Sequence, residues 1–165
     1  MNPSALVEPI KDAFYRMEYR PTVVMQIYNF HGALLLVQSA KNHFHWDMPQ
    51  GGIEPSDEDL CMALFREAHE KLGVTKGELS FMDYSGFEDL NFPPQADKRG
   101  FTKGKRYFFA RCLYHGGGLL NLEKDELSGY IWVDKKNQEA AVRTWLSRTQ
   151  ENKRELTLRH LFPKI

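Results

Sequence analysis

The stretch from Gly52 to Val74 constrains this chain more than any other. A glycine loop, Gln50-Gly51-Gly52-Ile53-Glu54-Pro55, comes first. Ser56 with Asp59 three residues on then fits a capping-box-like helix start. Leu60, Leu64, Ala68 and Leu72 recur every four residues and stack into one apolar stripe. Gly73 supplies a C-terminal stop. The pattern predicts a helix over 57–72. Glu67 and Glu70 are one turn apart on it and project together. Mg²⁺ is usually held by a few carboxylates together with substrate phosphates, and glycines let backbone approach a ligand closely. Such glutamates on their own more often form a solvated helix face.

The rest of the chain reads as one domain over residues 1–165. Apolar residues make up 42%, enough for a core, and 22 Lys and Arg balance 22 Asp and Glu. A neutral chain has no global attraction to nucleic acid or membrane, so a polyanion site has to be local. No secretory signal is visible at the N-terminus, and no apolar run approaches the roughly 18 residues of a membrane helix. Cys61 and Cys112 show neither a disulfide framework nor metal spacing. A soluble cytoplasmic protein with no stable protein partner is expected.

Residues 4–17 suit a short helix weakened by Pro9. TVVMQIYN at 22–29 reads as a buried strand, and ALLLVQSA returns after the turn at 30–32. Further strands are expected at 43–49, 79–89, 105–114 and 130–134, with a helical tail from Lys135. Mixed strands with helices before, between and after them predict an α/β sandwich.

Counting from Gly52 gives five residues, Glu58, seven residues, then Arg66-Glu67-Ala68-His69-Glu70-Lys71-Leu72-Gly73-Val74. This resembles the Nudix box at every fixed position but one: Lys71 stands where the pattern has a glutamate. Tyr19-Arg20-Pro21, Trp46-Asp47-Met48-Pro49-Gln50-Gly51-Gly52 and Glu126-Leu127-Ser128-Gly129-Tyr130-Ile131-Trp132-Val133 are similar to the RNA pyrophosphohydrolase and diadenosine polyphosphate hydrolase branch of that superfamily. The resemblance covers 19–134. It implies a Nudix-like α/β/α sandwich with a mixed β-sheet. It also implies Mg²⁺- or Mn²⁺-dependent hydrolysis of a pyrophosphate bond, in a dinucleoside polyphosphate or the 5′-triphosphate end of RNA. Glu67, Glu70 and Glu126 are the implied metal ligands, joined by Gly51, with Arg66 orienting the cluster. Glu67 or Glu126 is the implied general base.

An ammonium at position 71 opposes a divalent ion and removes a ligand, yet lysine is also a phosphate partner. Lys71 therefore supports a second reading, a Nudix-fold module that binds a nucleotide without cleaving it. The segment 95–107 carries Lys98, Arg99, Lys103, Lys105 and Arg106. Such a run is usually a solvated loop. Its functional reading is a lid over a polyphosphate, with Lys103 and Lys105 on phosphate and Phe101 or Tyr107 stacking on a base. Arg20 is a further candidate for phosphate or base.

Overall fold

The buried strand expected over 22–29 forms the centre of the sheet. In the computed structural model, which describes residues 3–92, 99–146 and 151–162, it is β1, Tyr19–Tyr28, buried from Pro21 to Ile27. A strand with helices on both faces reads as a continuous apolar run rather than an alternation. β1 pairs antiparallel with β2 (Leu34–Ser39) and parallel with β6 (Gly104–Tyr114), the latter from Tyr19 opposite Gly104 to Tyr28 opposite Leu113. β3 (Trp46–Asp47) and β7 (Leu127–Val133) pair with β2, β4 (Gln50–Gly52) with β1, and β5 (Leu79–Asn91) with β6. The sheet is mixed, as expected.

Alternate side chains of these strands feed two cores. Val23, Met25, Ile27, Leu35, Val37, Phe108 and Ala110 pack under α1 (Val7–Arg16) and α2 (Leu60–Leu72). Val24, Leu34, Leu36, Tyr107 and Phe109 pack under α3 (Gln138–Trp145) and α4 (Glu151–Leu161). The result is the α/β/α sandwich. In α2 the stripe Leu60, Leu64, Ala68 and Leu72 is no more than 1% exposed. Each of those leucines contributes about 2 kcal/mol on burial.

Boundaries shift where side chains claim the backbone. Helix α2 begins at Leu60 rather than 57, because Asp59 is its cap and accepts a hydrogen bond from the Met62 amide at 2.8 Å. Asp57 belongs to the preceding turn, where it accepts from the Glu54 amide. The strand expected over 43–49 shrinks to Trp46–Asp47, since Asn42 turns the chain through the amides of Phe44 and His45. Pro9 falls in the first turn of α1, where an amide proton has no helical partner to lose. No helix among the described residues is long and apolar enough to cross a membrane. Cys61 and Cys112 are both free.

Candidate functional site

Three segments meet beside the end of β1. Strand β4 is zipped to β1 with Gly52 opposite Thr22, and the Ile53 amide donates to the Pro21 carbonyl at 2.9 Å. The segment before β7 is tied to the end of α2: Asn121 donates to the Leu72 carbonyl and Glu123 to the Lys71 carbonyl, at 3.0 and 2.9 Å. The Ala40 amide donates to the Glu126 carbonyl at 2.8 Å, fixing that residue beside the end of β2. Together they enclose a cavity of about 380 Å³ whose wall carries Arg20, Asp47, Lys71, Arg99, Lys105 and Glu126.

Arg66 lies behind this wall and braces it. Its guanidinium donates to both carboxylate oxygens of Asp57 (3.1 and 2.6 Å), to the Gly52 carbonyl (3.0 Å) and to Glu67 Oε1 (2.9 Å). Asp57 raises the pKa of the guanidinium further, so it is a permanent cation. Glu67 is buried directly behind Gly51: a Cβ at position 51 would land inside its carboxylate. Burial pushes the Glu67 carboxyl above the ordinary 4.5, against the opposing pull of Lys71 and Arg66. Its Oε2 accepts no hydrogen bond among the described residues. Lys71 Nζ lies 3.8 Å from that oxygen and forms a close ion pair with Glu126. Arg20 packs across Gly52, where a Cβ would collide with its guanidinium.

The structure brings Arg20, Gly51, Lys71, Lys105 and Glu126 to the cavity, with Glu67 and Arg66 behind. The expected trio of carboxylate ligands is not assembled. The Glu70 side chain is 56% exposed and ion-pairs with Arg66 at 3.6 Å. The ammonium of Lys71 stands between Glu67 and Glu126. Among the described residues no group of three His, Cys, Asp or Glu side chains could hold a metal ion. The orphaned Oε2 of Glu67 would suit a cation, but Lys71 is already the cation that faces it. The residues as folded do not fit the divalent ion that the box implies.

The basic segment contributes less than expected. Lys98 lies outside the described residues. Lys103 ion-pairs with Glu18 and does not line the cavity. Arg106 is a structural cation, bonded to Asp89, Asp12 and the Pro9 carbonyl. Tyr107 is 1% exposed and points into the α3/α4 core, so it offers no stacking face. Phe101 packs against Phe14. Arg99 and Lys105 remain, the former 3.1 Å from Glu54.

Two supporting residues escaped the sequence. Asp57 occupies a position the box leaves open. Lys153, from α4, is 4% exposed, pairs with Asp47 and donates to Gln50 Oε1 at 2.8 Å. It braces the strand that carries Gly51, and nothing in a polar helical tail marks it out.

A mixed sheet between two helical layers, with a glycine strand set against an arginine-glutamate helix, is the architecture of the Nudix fold. Residues 18–156 match the profile of the NUDIX domain family, and the chain belongs to it. It is 33% identical over 75 residues to the asymmetrical bis(5′-nucleosyl)-tetraphosphatase of Sus scrofa, covering 45% of this chain and 49% of that protein. It is 30% identical over 116 residues to an RNA pyrophosphohydrolase of Caulobacter vibrioides, covering 66% of each. The chain thus spans about half to two thirds of the length of these relatives. The fold matches a C. elegans Ap4A hydrolase complex with a TM-score of 0.58 at 20% identity, over 85% of this chain and 97% of that one.

Proposed function

We propose that this chain works as a single cytoplasmic domain that hydrolyses a pyrophosphate bond in a nucleotide-linked substrate, either a dinucleoside polyphosphate or the 5′-triphosphate end of RNA. The observation that carries this reading is the cavity itself, which sets Arg20, Lys71, Arg99 and Lys105 around one space with two carboxylates, Asp47 and Glu126, on its wall. The names of the relatives support the substrate class.

In this reading the four cations hold the phosphate chain and take up the charge that develops on the leaving oxygens. A water on the cavity side gives its proton to a carboxylate while its oxygen attacks phosphorus. Glu126 is that carboxylate. It lines the cavity and Lys71 holds it, whereas Glu67 lies behind Gly51 and Asp47 is engaged by Lys153. The described carboxylates as folded do not form a site for Mg²⁺ or Mn²⁺. Recognition without cleavage is the second reading, favoured by Lys71 tying up Glu126.

The test is hydrolysis of diadenosine tetraphosphate, triphosphate-ended RNA, a nucleoside triphosphate and a nucleotide sugar. Each is measured in chelator, with Mg²⁺ and with Mn²⁺, beside a Glu126→Gln control. Turnover of the first or second substrate, falling at least ~100-fold in the control, is the expected result. Binding with no turnover above the control overturns the hydrolase reading and leaves recognition.

A further inference from the structure

We infer that Lys71 is a built-in cation doing the electrostatic work of a metal ion, so that the cleft accepts a polyphosphate without any divalent ion. The inference rests on the polyphosphate reading of the cavity and concerns how its charge is balanced.

The position of Nζ comes first. It lies 3.8 Å from the orphaned Glu67 Oε2 and in contact with Glu126, between these two carboxylates. Its side chain is 17% exposed and lines the cavity. An ammonium so placed faces both the protein's carboxylates and whatever occupies the space.

Charge counting comes second. Among the described residues, with histidine neutral, the charged groups on the wall are Arg20, Lys71, Arg99 and Lys105 against Asp47 and Glu126, an excess of two positive charges in a chain whose formal net charge is zero. A glutamate in place of Lys71 would leave three of each sign, and a polyanion would then enter only with a cation brought in. A glutamate carrying one divalent ion supplies one net positive charge; a lysine supplies the same charge alone. Like-charge repulsion adds to this. A second cation about 4 Å from an ammonium is repelled by it, more strongly at a protein surface than in bulk water. Lys71 thus excludes the ion whose charge it replaces.

The test has two independent readouts. Calorimetry measures diadenosine tetraphosphate binding in chelator and in Mg²⁺ for the natural protein, Lys71→Gln and Lys71→Glu. Mn²⁺ titration followed by electron paramagnetic resonance measures ion binding to the same three proteins with no nucleotide present. The natural protein is expected to bind the nucleotide with equal affinity in chelator and in Mg²⁺, and to leave Mn²⁺ free. Lys71→Gln should lose ~10-fold or more in nucleotide affinity. Lys71→Glu should bind Mn²⁺, and should bind the nucleotide only when an ion is supplied. Nucleotide binding by the natural protein that needs Mg²⁺, or Mn²⁺ binding equal to that of Lys71→Glu, overturns the inference. If no variant binds nucleotide under any condition, the polyphosphate reading fails, and the Mn²⁺ titration still decides whether Lys71 excludes the ion.

Discussion

Arg66 and Lys71 both reach Glu67, one at each carboxylate oxygen, and their surroundings could hardly differ more. Arg66 spends its donors inside the protein, on Asp57, Gly52 and Glu67. Lys71 meets two carboxylates and turns its charge to the cavity. Two neighbouring cations on one helix therefore divide the labour, the first holding the wall and the second presenting charge to a ligand. Removing the first should be felt in stability and removing the second in binding.

The largest expected effect is from Arg66→Ala. It strands Asp57 and Glu67, whose side chains are 3% and 7% exposed. Breaking a buried pair by removing one partner costs about 3–5 kcal/mol, and the partial exposure of Arg66 puts the expectation at the lower end. Urea denaturation measures it, and a loss within ~0.5 kcal/mol of zero would break the division of labour.

Gly51→Ala reaches the same carboxylate from the cavity side. The added Cβ must displace the Glu67 carboxylate from Arg66. Overpacking of this kind costs about 1–3 kcal/mol. Denaturation together with nucleotide affinity should show both falling; an unchanged protein would mean that Glu67 is not held where it is described.

The smallest effect is a pH dependence. Burial raises the Glu67 carboxyl above its ordinary 4.5. The folded state then binds the proton more tightly than the unfolded state, so the natural protein loses stability as pH rises through the raised value. Glu67→Gln carries no such charge. Its melting temperature should exceed that of the natural protein at neutral pH, and the gap should close as pH falls below 4.5. A gap that widens on acidification contradicts the cause assigned.

Much of this architecture was legible in the sequence for physical reasons. The apolar run of β1 signals a strand buried on both faces, and the four-residue repeat of α2 fixes the face that packs. The same repeat bears on the two glutamates. Glu67 is seven residues after Leu60 and therefore core-facing, while Glu70 falls off that stripe and turns outward. Spacing of three alone suggests a shared face and hides the difference. Tyr107 faces the α3/α4 core rather than the cleft, because alternation along a strand gives two faces without saying which one meets the cleft. Lys153 reaches Asp47 across 106 residues of sequence, and Asp57 meets Arg66 through a turn. Neither partnership leaves a local pattern, because tertiary placement makes it.

The two roles separate in one paired measurement, the urea midpoint and the diadenosine tetraphosphate affinity of Lys71→Gln beside the natural protein and Arg66→Ala. Lys71→Gln is expected to lower the urea midpoint far less than Arg66→Ala, since the Glu126 side chain is 53% exposed and Glu67 keeps its bond to Arg66, and to reduce the affinity ~10-fold or more. A midpoint lowered as far as in Arg66→Ala, with unchanged affinity, would overturn this and make Lys71 a second structural cation like Arg66.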